Sequence, residues 1–121
     1  MAKREVRLLI LCEDLQQEVF ARTFFQKRGV ARRKIRSRFC PKGKGAGSQW
    51  VLEQYLQEVQ EYRRKSSEAV CLAVIIDADP VQTVPQRLKQ FDLVLEAHGK
   101  QQRQPAEHIA IFVPKRNIET W

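Results

Sequence analysis

The sequence predicts an α/β fold with a mainly parallel sheet of about four strands and helices on both faces. Strand-like and helix-like periodicity alternate along all 121 residues with short connections, which is typical of right-handed βαβ crossovers. Residues 69–76 are apolar at consecutive positions, the pattern of a central strand covered by helices on both sides. The predicted order is β-α-β-α-β-α-β in a single domain spanning residues 1–121.

The chain is predicted to begin with a strand, over the apolar run from Val6 to Cys12, followed by a helix over residues 14–28. Gly29 supplies a C-terminal stop for this helix. Five apolar residues recur at helical spacing and are expected to face the core: Leu15, Val19, Phe20, Phe24 and Phe25.

The second predicted strand covers residues 35–39, where apolar or small residues alternate with Arg36 and Arg38. One basic face indicates a position at or near the edge of the sheet. Residues 41–47 are rich in glycine and lysine and are expected to form a loop, with Ser48 as the N-cap of the next helix.

The remaining elements are a third strand over residues 69–76, a helix that contains Phe91 and Leu95, and a last strand over residues 108–113. Gly99 lies near the expected end of that helix. The longest apolar stretch, residues 69–76, is far shorter than the roughly 20 residues that span a bilayer, so no membrane partner is expected. The charged amino terminus lacks a signal peptide pattern, which predicts a cytoplasmic protein.

Carboxylates follow two of the predicted strands. Glu13 comes directly after the first strand, and Asp77 and Asp79 come after the third. In an open parallel sheet the ligand crevice lies outside the carboxyl ends of the strands, so these side chains converge if the two strands are neighbours. Oxygen ligands suit Mg²⁺ or Mn²⁺, which predicts a metal site. The alternative is that Asp79 and Pro80 form only a turn.

A basic segment without acidic residues covers residues 27–44, and the net charge of the chain is +8. Clustered lysine and arginine favour a phosphate backbone as partner, whereas the alternative is a solvated basic face. The residues predicted to contact nucleic acid are Arg32, Arg33, Lys34, Arg36, Arg38, Lys42 and Lys44.

The placement of Glu13 after the first strand and of Asp77-Ala78-Asp79 after the third resembles the Toprim superfamily over nearly the whole chain. The resemblance implies a compact Rossmann-like fold and a Mg²⁺-dependent, nuclease-like domain acting on DNA or RNA. In it, Asp77 and Asp79 hold the metal and Glu13 serves as catalytic acid/base or as a second metal ligand. Glu119 is an additional candidate ligand.

Two other functions remain open for a Toprim-like domain. One is a non-catalytic module that binds nucleic acid or a protein, and the other is primase-like nucleotidyl transfer. The ending from Arg116 to Trp121 resembles that of Toprim-like proteins in which the chain continues as a helix, which leaves a truncated C-terminus open. Ile118 and Trp121 lie three apart and are expected to pack against the third helix or against another subunit.

Overall fold

The computed structural model describes residues 7–41, 46–65, 70–78 and 83–114, which form one sheet with helices on both faces. The strands pair in the order β2-β1-β3-β4 and every pairing is parallel. The elements in chain order are β1 Arg7–Cys12, α1 Leu15–Lys27, a 3-10 helix Arg32–Lys34, β2 Ile35–Phe39, α2 Gly47–Arg64, β3 Val70–Ile75, α3 Val84–Ala97 and β4 Ile109–Phe112. The predicted fold class, the edge position of the second strand and the central position of the third are therefore confirmed.

Alternation along the strands divides the core into two layers. Leu11, Leu72 and Val74 belong to the layer that packs against α2 and α3, where Tyr55 contacts Phe91. Leu8, Ile10, Cys12, Ala73 and Ile75 belong to the layer under α1. One face of the sheet thus carries two helices and the other carries α1. No helix of the described residues is long and apolar enough to cross a membrane.

The predicted core stripe of α1 is partly wrong. Leu15 and Val19 are 57% and 55% exposed, and Phe24 is also exposed, whereas Gln17 and Ala21 are buried. The rotation of α1 is fixed at its start, where the Asp14 carboxylate accepts a hydrogen bond of 2.9 Å from the Gln17 backbone N–H. Gln17, a polar residue, is therefore buried in the core, whereas the apolar spacing predicted burial of Leu15 and Val19.

Two predicted helix ends are confirmed and one predicted helix start is wrong. Gly29 and Gly99 follow α1 and α3 with φ of +96° and +68°, a conformation that favours glycine and ends a helix. The predicted N-cap at Ser48 is wrong, because α2 already begins at Gly47 and Ala46 occupies the cap position. The glycine is needed there because the start of α2 approaches Glu13 closely, as described next.

Candidate metal centre

The parallel register brings Glu13 and Asp77 together at the carboxyl edge of the sheet. β1 and β3 are hydrogen-bonded neighbours with Leu11 opposite Val74, so the chain leaves both strands at the same edge. The Glu13 carboxylate oxygen Oε1 accepts a hydrogen bond of 2.7 Å from the backbone N–H of Asp77. The predicted convergence of these two residues is thus present, and its cause is the adjacency of the two central strands.

Gln17 supports this pair from α1. Its side-chain oxygen Oε1 accepts a hydrogen bond of 2.8 Å from the Glu13 backbone N–H. Its amide lies beside Asp77 and lowers the pKa of that carboxyl, although Nε2 of Gln17 and Oδ1 of Asp77 form no hydrogen bond with any described residue.

The sequence carried a signal for Gln17 that was missed. Asp14 and Gln17 stand three apart immediately before the apolar positions of α1, the spacing of a capping box. Oδ1 of Asp14 is engaged as the N-cap of α1, where it accepts the Gln17 N–H. The negative charge of Asp14 raises the pKa of Asp77.

A buried arginine from the first turns of α3 also reaches the pair. Arg87 is 7% exposed, and its Nε donates a hydrogen bond of 3.0 Å to the backbone oxygen of Asp77. Its Nη1 donates to Oε1 of Gln90 at 3.1 Å. The positive charge lowers the pKa of both Glu13 and Asp77. No sequence signal distinguished this arginine from the other basic residues on helices.

Burial dominates the titration of the two carboxyls. It is the largest effect on each and raises the pKa of Glu13 and of Asp77 above their ordinary values. For Glu13, the hydrogen bond from Asp77 opposes this rise, while the charge of Asp77 adds to it. Two partly buried carboxylates that disfavour their own ionisation favour a nearby cation or a shared proton.

The start of α2 closes one side of the site. A Cβ atom added at Gly47 would lie 2.9 Å from Cβ of Glu13 and 3.0 Å from its backbone oxygen. That oxygen also accepts a hydrogen bond of 3.3 Å from the backbone N–H of Cys40, just after β2. The backbone of Glu13 is therefore held between β2, α1 and the first residue of α2.

The other predicted ligands are not in this part of the structure. Asp79 and Glu119 lie outside the described residues, as do Lys42, Lys44 and the segment containing Ile118 and Trp121. Within residues 7–41, 46–65, 70–78 and 83–114, no group of three or more histidine, cysteine, aspartate or glutamate side chains is arranged to hold a metal ion. The described site therefore contributes two carboxylates, Glu13 and Asp77.

The predicted nucleic-acid-binding residues that the structure describes lie on β2 and just before it, and extend away from the carboxyl edge that holds Glu13 and Asp77. Arg32, Arg33 and Lys34 form the 3-10 helix, and Arg36 and Arg38 lie on β2 opposite Leu9 and Leu11. At about 3.3 Å per residue, these two positions are roughly 13 and 7 Å from Glu13 along the sheet.

Arg38 is already engaged within the protein. Its Nη1 forms an ion pair with Glu58, and its Nη2 donates to Oε1 of Gln54 at 2.7 Å. The guanidinium carbon also lies 5.5 Å from the ring centroid of Trp50. These contacts tie β2 to α2 and leave Arg38 less available to a phosphate than its exposed neighbour Arg36.

Fold and site together define a parallel α/β protein with a carboxylate pair at the carboxyl ends of its two central strands. Comparison with protein-family models, with curated proteins and with solved structures found no match to this chain. The relation to the Toprim superfamily accordingly remains a resemblance carried by Glu13 and Asp77.

Proposed function

We propose that this chain is a Toprim-like, Mg²⁺- or Mn²⁺-dependent nuclease domain that acts on phosphodiester bonds in DNA or RNA in the cytoplasm. The observation that carries the proposal is the proximity of Glu13 and Asp77 at one edge of the sheet, where the Glu13 carboxylate accepts a hydrogen bond of 2.7 Å from the Asp77 backbone N–H. Clustered arginine and lysine on and before β2 support a polyphosphate partner.

The side chains at this edge fit a hard cation. Oδ1 of Asp77 is buried without a hydrogen-bond partner among the described residues, which suits a carboxylate oxygen that takes a metal. Mg²⁺ keeps several waters and needs only one or two carboxylates, so Asp77, with Asp79 as a further ligand, suffices to hold it. When bound, such an ion stabilises the negative charge on the phosphoryl and leaving oxygens.

Glu13 is the proposed proton acceptor. Burial raises its pKa toward neutrality, which suits a general base better than an ordinary exposed glutamate. The N–H of Asp77 holds Oε1, so the proton of the attacking water is assigned to Oε2. Arg87 is a positioning residue in this scheme, since it fixes the Asp77 backbone and offsets the charge of both carboxylates.

The proposal is tested by incubating supercoiled plasmid and structured RNA with Mg²⁺ or Mn²⁺. We expect nicking or cleavage that falls at least about 100-fold in Asp77→Asn and in Glu13→Gln. Asp92→Asn, the same change on α3, serves as the matched control and should cleave like the wild type. Failure to cleave either nucleic acid with either metal, at high protein concentration, argues against the nuclease.

A non-catalytic module that binds nucleic acid is the second candidate. It is favoured by the engagement of Glu13 with Asp77 and Arg87, and by the presence of only two carboxylates at the described site. Calorimetric titration with Mg²⁺ separates the two candidates. Binding that disappears in Asp77→Asn supports the nuclease, and no heat in either protein supports the binding module.

A further inference from the structure

A cavity of about 720 Å³ lies beside the edge strand β2, toward the amino-terminal ends of β1 and β3. Its walls come from these three strands, from the 3-10 helix before β2, from Arg22 of α1 and from the carboxyl-terminal half of α2. Seven basic residues line it, against two acidic ones, Glu58 and Glu61. The cavity is therefore strongly biased toward an anionic ligand.

Both acidic residues are already paired. Glu58 is held by Arg38, and Oε2 of Glu61 lies 2.6 Å from Nη2 of Arg64. Glu58 thus offsets Arg38, a member of the lining, whereas Glu61 is paired with Arg64 outside it, and an excess of positive charge remains.

Three exposed cations in the lining carry the excess charge. Arg7 at the start of β1, Arg36 on β2 and Lys65 after α2 form no ion pair with any described residue. Lys65 acts on Glu61 only at longer range, where it lowers the pKa of that carboxyl. Arg7 and Lys65 lie outside the basic segment of the sequence. The parallel pairing of β1 with β2 brings Arg7 beside that segment, and Lys65 is brought there by the carboxyl-terminal end of α2.

The lining is suited to a phosphate backbone more than to bases. Tyr62 is its only aromatic residue among those described, and the Tyr62 hydroxyl accepts a hydrogen bond of 2.6 Å from the His108 backbone N–H. Recognition of bases by proteins that bind single strands normally uses several stacking aromatics. Phosphate contacts from arginine and lysine require none.

The size of the cavity favours one strand over two. A volume of about 720 Å³ is too small to enclose a duplex, whose major groove alone is about 12 Å wide, so only the backbone of one strand fits inside it. We propose that this cavity binds the sugar-phosphate backbone of a single-stranded nucleic acid through Arg7, Arg36 and Lys65. The inference rests on the proposed function, since the strand would continue along β2 toward Glu13, which contacts the residue after β2.

The test is a fluorescence anisotropy titration with single-stranded DNA, single-stranded RNA and duplex DNA over a range of salt, in EDTA. Each of Arg7→Gln, Arg36→Gln and Lys65→Gln should reduce the slope of log K against log salt by about 0.7. At 0.1 M salt this corresponds to about fivefold weaker binding per residue, and about 100-fold for the triple variant. Lys100→Gln, an exposed lysine outside both the cavity and the basic segment, is the matched control and should leave the slope unchanged.

Two results overturn the inference. One is an unchanged slope in a triple variant whose melting temperature equals that of the wild type, and the other is binding of duplex DNA as tight as the binding of either single strand. The tighter of the two single-stranded probes identifies the natural backbone. Asp77→Asn separates this inference from the nuclease proposal, because it should bind normally in EDTA. If the triple variant binds normally and Asp77→Asn does not cleave, only the inference about the cavity is refuted. If the triple variant loses binding and Asp77→Asn cleaves normally, only the nuclease proposal is refuted.

Discussion

Replacement of Gly47 by alanine tests the close approach of α2 to the carboxylate pair. The added Cβ would lie 2.9 Å from Cβ of Glu13, 3.0 Å from its oxygen and 3.3 Å from its Cα. These atoms belong to the backbone or to its first side-chain carbon, so no flexible side-chain end can move aside. Either the first turn of α2 or the backbone of Glu13 has to shift.

Two opposing effects set the expected change in the free energy of unfolding. Overpacking of a well-packed site destabilises by about 1 to 3 kcal/mol. Alanine in a helix is more favourable than glycine by roughly 0.5 to 1 kcal/mol. We therefore expect Gly47→Ala to be net destabilising by about 1 kcal/mol, which lowers the melting temperature of a chain of this length by about 4 °C.

The assay combines thermal melting with amide hydrogen exchange followed by NMR. A shift of Glu13 should weaken its hydrogen bond from the Asp77 N–H, so exchange at Asp77 should accelerate more than the loss of global stability explains. Ser48→Ala, one residue further along α2, is the control and should leave the Asp77 amide unchanged. A Gly47→Ala protein that melts above the wild type, with Asp77 exchange unaltered, would refute the reasoning.

Two further substitutions test the site and the core. Glu13→Gln keeps an oxygen acceptor for the Asp77 N–H but removes the carboxyl group, whose pKa burial raises. In the wild type the protonated carboxyl favours the folded state below about pH 4, and this contribution to the free energy of unfolding is lost as the pH rises through the folded pKa. The variant should therefore melt above the wild type at about pH 8 and not at about pH 4, and a lower melting temperature at pH 8 would contradict this. Tyr55→Phe should stabilise by about 1 kcal/mol, because burial raises the pKa of Tyr55 to about 12 and its hydroxyl has no hydrogen-bond partner among the described residues. Tyr62→Phe, which removes the acceptor of the His108 N–H, should destabilise by a similar amount; equal and opposite melting shifts in the two variants are the expected result.

The sheet could be predicted from the sequence because the burial of a strand determines which of its positions are apolar. The run over residues 69–76 is apolar on both faces, and the structure places β3, Val70–Ile75, between β1 and β4. The second strand alternates with arginine, and β2 is at the edge. Right-handed crossovers between short connections then leave few possible strand orders, which made the adjacency of β1 and β3 a reasonable expectation.

The site could be predicted only where it follows from strand ends. Glu13 and Asp77 are fixed by the carboxyl ends of β1 and β3, and both were found. Arg87 was missed, because which basic residue of α3 turns inward depends on how that helix packs on the sheet. Arg7 and Lys65 were missed for a similar reason, because they are far from the basic segment in sequence. Arg7 joins it only through the pairing of β1 with β2, and Lys65 only through the position of the end of α2.

The failed prediction in α1 and the candidate site have the same cause. Apolar spacing alone would bury Leu15 and Val19, but the helix instead buries Gln17, whose side chain holds the Glu13 backbone and lies beside Asp77. Exposing two large aliphatic residues while burying an amide with an unpartnered nitrogen is unfavourable for stability on its own. Proteins tend to break local folding rules where function requires a particular side chain. The conflict between pattern and burial in α1 therefore supports a functional role for the Glu13 and Asp77 edge, independently of any metal.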